Sequence, residues 1–247
     1  MSLGIAIATV RESVVAVFRF RTMQPQTVKK GKVRPAKYNV GWGSGFCVVS
    51  DRYVVTAFHV LNHGQPRNQH DKFLVFVVPG NGDLAFHFPV IGFPVERQDL
   101  DLAVLEIGPC VTQGVHLPFV PVSFGEHPDG TRVLTIGFPA PEVVGLNIDA
   151  QGNYIGGQFF LKSHANEGIV SAQYTLAPLH VYEFNVGWHH GESGGPVLQI
   201  DEPVAAITIM QQYRNIKSPH GVVAGPHRGF ALSALQDDLR RLGATIV

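Results

Sequence analysis

The chain has 247 residues, of which 45% are hydrophobic and 15% charged, with 27 glycines and 17 prolines. This composition is typical of a folded protein rich in turns, and it excludes a disordered chain and a coiled coil. The formal net charge is zero, so no overall field draws the protein to nucleic acid or to an anionic membrane. No apolar run reaches the roughly 18 residues that a membrane-spanning helix needs. No secretion signal is recognisable at the amino terminus.

Cysteine content and local charge add two expectations. Cys47 and Cys110 are the only cysteines, too few for a disulfide framework. We interpret them as free thiols, which favours a cytoplasmic location. Basic residues concentrate between Lys29 and Lys37. A solvated loop is the preferred interpretation of that segment, and a regulatory or partner-contacting loop is the alternative.

Strand patterns dominate the chain in order. Short runs of β-branched and aromatic residues, each bounded by turn residues, predict strands at 14–18, 45–49, 53–56, 73–77, 103–107, 132–136, 168–172, 181–184, 196–200 and 204–209. Many short strands without intervening helices are typical of a sandwich or barrel. Residues 115–121 are the best candidate for a mid-chain crossover. Near the carboxyl terminus the period changes, and a capping box at Ser233 and Gln236 predicts a helix over 234–242.

The segment 191–196, GESGGP, is the most informative motif. A serine hydroxyl is a poor nucleophile at neutral pH, so it needs a neighbouring base and a site for the developing oxyanion. Glycines around Ser193 allow the backbone to turn tightly and to direct N–H groups into one small space. We therefore expect Ser193 to be a nucleophile, with the amides of Gly191 and Ser193 as oxyanion donors. A simple tight turn is the alternative.

A histidine and an aspartate complete the constellation. His59 follows directly on a predicted strand, and Asp101 stands at the start of another, in the segment DLAVL. The order along the chain is His59, Asp101, Ser193, with intervals of 42 and 92 residues. A carboxylate at Asp101 could hold the imidazole in the tautomer that accepts the serine proton. Asp99 competes for this role, but the DLAVL segment favours Asp101.

These motifs together resemble the chymotrypsin-like serine peptidases, and most closely the protease domain of the HtrA family and related bacterial trypsin-like peptidases. The resemblance rests on GSGF at 43–46, TAFHV at 56–60, DLAVL at 101–105, IGFP at 136–139, EGIVSA at 167–172, GESGGP at 191–196 and GFAL at 229–232. No binding module of the PDZ type follows, and neither the disulfide beside the histidine nor an Ile-Val-Gly-Gly start is present.

The resemblance implies an all-β fold of two six-stranded antiparallel β-barrels with a short C-terminal helix. The first barrel, 1–118, would carry His59 and Asp101; the second, 119–247, would carry Ser193, with the site in the cleft between them. The implied activity is serine endopeptidase, which needs no metal or organic cofactor and takes a polypeptide substrate. HtrA relatives often form trimers, so both a monomer and a homotrimer remain open.

The sequence leaves two other classes of function open. One is a protease fold without activity that serves as a binding module. The other is a metallohydrolase built on histidines, since His59 and His63 are four residues apart; however, the segment lacks the glutamate of the zinc-protease motif. His189 and His190 lie too near Ser193 in sequence to be the base, and either line the cleft or face solvent. Glu192 either helps to hold the oxyanion loop or faces solvent.

Specificity is the least determined property. In the fold that the resemblance implies, the primary pocket is built from the segment before the nucleophile and from the strand after it. Here the candidate pocket residues are Gly187, Trp188, Ile209 and Gln211. No acidic residue stands among them to pair with a substrate lysine or arginine. The sequence therefore predicts an apolar pocket and cleavage after small or aliphatic residues.

Overall fold

A computed structural model describes residues 2–24, 27–29, 32–34, 37–149, 154–176, 179–187, 189–201, 203–218 and 221–247. The helices are α1 (Leu3–Arg11), α2 (Phe58–Asn62) and α3 (Gln236–Leu242). The strands are β1 (Val14–Gln24), β2 (Thr27–Lys29), β3 (Lys32–Arg34), β4 (Lys37–Val49), β5 (Tyr53–Ala57), β6 (Asp71–Val77), β7 (Phe86–Arg97), β8 (Leu102–Ile107), β9 (Arg132–Gly137), β10 (Glu142–Ile148), β11 (Tyr154–Phe160), β12 (His164–Leu176), β13 (Leu179–Phe184), β14 (Pro196–Gln199), β15 (Ala205–Ile209), β16 (Gln212–Ser218) and β17 (Gly221–Phe230).

The first half of the chain forms a closed antiparallel barrel. Its strand order is β1-β4-β5-β8-β7-β6, and pairing between β6 and β1 closes it. All five residues of β5 are buried, as expected for a strand with a filled barrel interior on one side and other packed elements on the opposite side. The catalytic-site candidates His59 and Asp101 follow β5 and precede β8, which are paired neighbours, so the barrel places them side by side.

The second half forms a seven-stranded sheet in the order β15-β14-β9-β12-β13-β17-β16. This sheet curls without a backbone ladder between β15 and β16 among the described residues, so a half-barrel stands where a six-stranded barrel was expected. The edge strand β15 instead meets β17 through side-chain contact: Thr208 Oγ1 donates to the carbonyl of Phe230 at 2.5 Å. The all-β class with two β units and a C-terminal helix is confirmed.

Both ends of the chain differ in detail from the sequence-based expectation. Helix α1 was not predicted; Ala6 and Val10 are its buried residues, and they belong to the main hydrophobic core, which includes the interior of the first barrel. At the other end α3 begins at Gln236, because Ser233 lies in a 3₁₀ turn over Leu232–Leu235 and makes no side-chain cap. The capping-box prediction was therefore wrong, although Leu239 is buried as expected.

A buried ion pair ties the segment after α2 to the barrel wall. The side chain of Arg19 is 5% exposed and contacts Asp71, whose side chain is fully buried, at 2.9 Å. The same guanidinium donates to the backbone carbonyls of Asn62 and Gln65. Buried charges are tolerated when they are paired and hydrogen-bonded in this way. The short helix that carries His59 is therefore anchored at its far end.

No helix in the described part of the chain is both long and apolar enough to cross a membrane.

Candidate active site

Asp101 and helix α2 are built as one unit. The helix has five residues and no side-chain cap of its own, so its first N–H groups need acceptors from elsewhere. Asp101 supplies two of them: its carbonyl accepts from the amide of Phe58 at 3.1 Å, and its Oδ1 accepts from the amide of His59 at 2.8 Å. Asp101 therefore fixes the start of the helix that carries His59.

The second carboxylate oxygen of Asp101 orients the imidazole. Its Oδ2 lies 2.7 Å from Nδ1 of His59. A carboxylate can only accept, so Nδ1 carries the proton and Nε2 is left as the acceptor. The side chain of His59 is 45% exposed and that of Asp101 is 13% exposed. The accepting face of the imidazole is thus open to a reacting group while the carboxylate behind it is shielded.

The competing residues lie elsewhere. Asp99 is 62% exposed and pairs with Arg97 at 2.7 Å, so it does not contact His59. His63 packs over Gly41, where an added Cβ would come within 2.5 Å of its ring, and its ring centroid lies 6.0 Å from that of Trp42. Burial, followed by the charges of His190 and His59, lowers the pKa of His63. No group of three metal-ligating side chains occurs in the described ranges.

Ser44 of the first barrel holds the Ser193 loop. The amide of Ser44 donates to the carbonyl of Ser193 at 2.7 Å, and its hydroxyl donates to the carbonyl of Gly191 at 2.8 Å. The same hydroxyl accepts from the amide of Phe138 at 2.8 Å. Sequence reasoning assigned no role to Ser44. The signal in the sequence is its place in the GSGF segment, which lies in β4, the strand that pairs with the histidine strand β5.

Two glycines of the motif are required by geometry. Gly191 has φ +103° and Gly194 has φ +87°, values that side-chain-bearing residues rarely adopt. A Cβ on Gly194 would also lie 2.2 Å from the carbonyl oxygen of Ser44 and 2.5 Å from Oγ1 of Thr56. The loop can therefore follow this path against the first barrel only with glycine at these positions.

The two proposed oxyanion donors are oriented by their neighbours. The carbonyl of His190 accepts from the amide of Ala140 at 3.0 Å, and the carbonyl of Glu192 accepts from the amide of Gly195 at 2.9 Å. In a trans peptide the N–H points opposite to the C=O. The amides of Gly191 and Ser193 consequently point away from these partners, and neither has a backbone acceptor among the described residues.

Ser193 is 7% exposed in the loop, as a nucleophile at the bottom of a cleft would be. Within the described part of the chain its hydroxyl makes no hydrogen bond to another protein group, His59 included. Such a bond is often long without substrate and tightens in the complex. Ser193 nevertheless lies close to helix α2, because both contact Gly43: a Cβ added there would lie 2.4 Å from Val60 and 3.0 Å from the Ser193 carbonyl oxygen. The His59–Asp101 contact is already formed.

The candidate pocket residues differ in how accessible they are to a substrate. Gly187 is exposed before the nucleophile loop, and Trp188 lies outside the described residues. Ile209 is fully buried in β15, and its Cα pairs with that of Pro196. Gln211 is 4% exposed, and its carboxamide is engaged in hydrogen bonds to Leu100, Asp101 and Phe230 rather than free to contact a ligand.

The cysteines are free, as predicted. Cys47 is fully buried in β4, and burial raises the pKa of its thiol to about 12. A thiol held protonated at neutral pH is a poor nucleophile and a poor metal ligand. Cys47 therefore belongs to the core of the first barrel.

Glu192 is a buried carboxyl directly before Ser193. It is 2% exposed; its Oε2 accepts from the amide of His189 at 2.6 Å, and its amide donates to the carbonyl of His189 at 3.1 Å. Its Oε1 is buried without a partner among the described atoms. Burial raises the pKa of Glu192, and the His189 amide and the nearby His189 and His164 side chains oppose this effect. Glu192 therefore helps to hold the turn before Ser193, at the cost of an incompletely paired charge.

A prediction follows for the pH dependence of stability. Because the folded-state pKa of Glu192 is raised, its contribution to folding is most favourable below the unfolded-state pKa of about 4.3 and is lost as pH rises through the folded pKa. Glu192→Gln removes this charge and keeps an acceptor for the His189 amide. Its free energy of unfolding in urea should exceed that of wild type at pH 8, and the excess should shrink towards pH 5. Glu142→Gln, at an exposed position of β10, is the control, and an excess that does not change with pH would contradict the assignment.

Comparison with known proteins identifies the family of the chain and structures with a similar fold. The family model for the trypsin-like peptidase domain matches residues 43–207, which is more than half of the chain. No curated protein matches the chain. Among solved structures, an HtrA-type protease AlgW with decapeptide is similar at a TM-score of 0.64 and 16% identity, covering 98% of this chain and 67% of that one. Deg5 is similar at a TM-score of 0.57 and 19% identity, covering 96% and 90%.

At these identities the structural likeness shows the fold, and it agrees with the barrel and curled sheet described above. The family match spans β5, α2, β8 and the Ser193 loop, and so includes His59, Asp101 and Ser193. The chain belongs to the trypsin-like peptidase domain family.

Proposed function

We propose that this protein is a serine endopeptidase that hydrolyses polypeptides through an acyl-enzyme, with Ser193 as nucleophile. The observation that carries the proposal is the double contact of Asp101 with His59, at 2.7 Å to Nδ1 and 2.8 Å to the amide. This contact prepares the imidazole as a base beside a glycine-rich loop that holds a serine. Family membership and the decapeptide bound to the similar protease AlgW support a polypeptide substrate.

In the first half of the reaction the hydroxyl of Ser193 attacks the scissile carbonyl carbon, and Nε2 of His59 takes the serine proton. Asp101 stabilises the imidazolium that forms and does not itself take the proton. The carbonyl oxygen becomes an oxyanion between the amides of Gly191 and Ser193. Each such donor is worth about 3 kcal/mol of transition-state stabilisation.

In the second half the imidazolium returns its proton to the departing amine, which breaks the C–N bond and leaves an ester on Ser193. Water then attacks the ester, with His59 again as base, and releases the new carboxyl end. One water is consumed for each peptide bond that is broken. Ser193 and His59 return to their starting protonation states, so the cycle needs no cofactor.

We place the boundary between the two β units at 118/119. Leu117 belongs to the first unit, because its carbonyl accepts from the amide of Asp51 at 3.1 Å and its own amide donates to the Asp51 carboxylate at 2.6 Å. Five residues later Val122 pairs with Ala206 and Ile246 of the second unit. These contacts support a crossing near the end of the predicted segment 115–121, since the amide of Val120 still donates to the carbonyl of Cys47 in the first barrel and the carbonyl of Pro121 accepts from Ala206 of the second unit.

The first test replaces the nucleophile. Ser193→Ala should lower kcat for peptide hydrolysis by on the order of 10⁶-fold while leaving the urea unfolding transition nearly unchanged. Ser123→Ala is a matched control, because Ser123 is also 7% exposed and lies in the second unit away from the loop. It should retain wild-type kcat.

Three outcomes would count against the proposal. Retention of more than about a tenth of wild-type activity in Ser193→Ala would exclude Ser193 as nucleophile. Loss of wild-type activity in EDTA would favour a metallohydrolase. A folded wild-type protein that cleaves no member of a diverse peptide library would favour a binding module without activity, which would fit a Ser193 hydroxyl that does not bond to His59.

We further propose cleavage after small or aliphatic residues. No acidic residue stands at 186–191 or 207–211, the two segments that flank the nucleophile loop, so a substrate lysine or arginine would lack a partner there. Val186 is buried and Gly187 is exposed beside it, so the exposed surface at these two positions is backbone without a charged group. With Ile209 and Gln211 occupied by other contacts, the proposal rests on this segment.

The second test profiles cleavage sites in a peptide library by mass spectrometry. We expect Val, Ala, Ile or Leu on the amino side of the cleaved bond. Selectivity among them should be loose, since each methylene is worth only about 1–3 kcal/mol. A profile dominated by Arg, Lys, Asp or Glu would refute the specificity and leave the roles of Ser193, His59 and Asp101 unaffected.

A further inference from the structure

Gln211 lies two positions after the last residue of β15, and its side-chain carboxamide makes three hydrogen bonds. Its Nε2 donates to the carbonyls of Leu100 and Asp101 at 2.6 Å and 3.1 Å. Its Oε1 accepts from the amide of Phe230 at 2.7 Å. The residue is 4% exposed, so these bonds form largely out of contact with water, where an unmade bond is costly. The carboxamide therefore joins the turn before β8 to the second β unit.

The residue that Gln211 holds is conformationally constrained. Asp101 has φ +53° and ψ +38°, a left-handed conformation that non-glycine residues adopt at a cost. Its carbonyl also accepts from the amide of Phe58, the first residue of α2. Gln211 is the contact from the second unit that holds this carbonyl in place. Displacement of the Asp101 backbone would move the carboxylate that orients His59.

The neighbouring residue, Met210, holds the nucleophile loop. Its carbonyl accepts from the amide of Gly194 at 2.7 Å, and its amide donates to the carbonyl of Gly195 at 2.8 Å. Two consecutive residues of the second unit thus contact the two parts of the site. Met210 holds the loop of Ser193, and Gln211 holds the backbone of Asp101. The peptide bond between them is a rigid spacer of fixed length.

We propose that Gln211 is a positioning residue of the reaction, which sets the place of the Asp101–His59 pair relative to Ser193 across the two β units. This inference rests on the proposed function. It replaces the pocket role expected for Gln211 from the sequence. A glutamine suits the task because one side chain supplies both a donor for the carbonyls on one side and an acceptor for the Phe230 amide on the other.

The space around Gln211 allows the Asp101–His59 pair to move when the hydrogen bonds of Gln211 are lost. A cavity of about 20 Å³ lies beside Gln211, and its lining includes Asp101, Phe230 and Arg228. A cavity leaves part of its lining without packing contacts, so the neighbouring groups can shift into it. A shift of about 1 Å in a catalytic group can lower the rate by on the order of 10²-fold.

The experiment compares Gln211→Met with wild type on the best library peptide. Methionine keeps the length of the side chain and removes all three hydrogen bonds. We expect kcat to fall by on the order of 10²-fold and KM to change by less than about threefold, since the substrate surface is unchanged. Gln199→Met is the matched control, because Gln199 donates to the Pro203 carbonyl in the same unit. It should keep wild-type kcat.

A second variant separates positioning from stability. Gln211→Glu keeps the acceptor for Phe230 but, when ionised, places an oxygen against the carbonyls of Leu100 and Asp101. Among the described residues, the charged groups that line the adjacent cavity are Asp101 and Arg228, and His59 contacts Asp101. Burial and the facing carbonyls favour the protonated acid, whose O–H can donate as the amide did. The ratio of its kcat to wild-type kcat should therefore rise several-fold between about pH 8 and pH 6.

The outcomes distinguish this inference from the proposed function. Suppose that the wild-type enzyme is active. The positioning role alone is then overturned if Gln211→Met is equally active, or if the ratio of Gln211→Glu kcat to wild-type kcat is constant with pH. A raised KM at unchanged kcat restores the pocket role. A folded wild-type enzyme that turns over no peptide overturns the proposed function, and this inference with it. Urea unfolding of each variant identifies a change that acts only through stability.

Discussion

The distance between nucleophile and base depends on hydrogen bonds that cross from one β unit to the other. His59 and Asp101 belong to the closed barrel, whereas Ser193 belongs to the loop before β14. Reacting groups must be held within about 1 Å of a productive geometry, so a site whose groups come from two different β units depends on contacts that fix one unit against the other. The amide of Ser44 in the first barrel donates to the carbonyl of Ser193 itself, and the Ser44 hydroxyl donates to the carbonyl of Gly191 in the same loop.

Asp101 combines a structural and a chemical task in one residue. A helix of five residues is too short to be stable by itself, and α2 begins with amides bonded to Asp101. The same carboxylate fixes the tautomer of His59. A change at this position would therefore disturb the orientation of the whole helix start as well as the charge beside the imidazole, so its effect on activity would not measure the charge alone.

The sequence was sufficient for features that depend on local pattern. The strands around His59, Asp101 and Ser193 were predicted because β-branched runs end at turn residues there, and glycines mark the tight loop. The family resemblance then supplied the two-unit arrangement. The contacts of Ser44 and Gln211 were not predicted because they join residues more than a hundred positions apart, such as Ser44 with Gly191 and Gln211 with Leu100.

Other elements were missed for different physical reasons. Helix α1 is a short apolar segment without a capping side chain, and its burial against the barrel stabilises it more than its own sequence does. The hairpin of β10 and β11 lies in a stretch with several glycines and no regular alternation. It packs through Tyr154 and Phe159 onto Phe76 of the barrel, which only the folded chain reveals.

The central claim is that His59 activates Ser193, and covalent labelling tests it most directly. The folded protein is incubated with a fluorophosphonate, and the adduct is mapped by mass spectrometry of its peptides. The account predicts a single adduct on Ser193 that is absent from His59→Ala and from urea-unfolded wild type, because an unassisted serine hydroxyl does not react. An unlabelled folded protein, or an adduct on another residue, would contradict it.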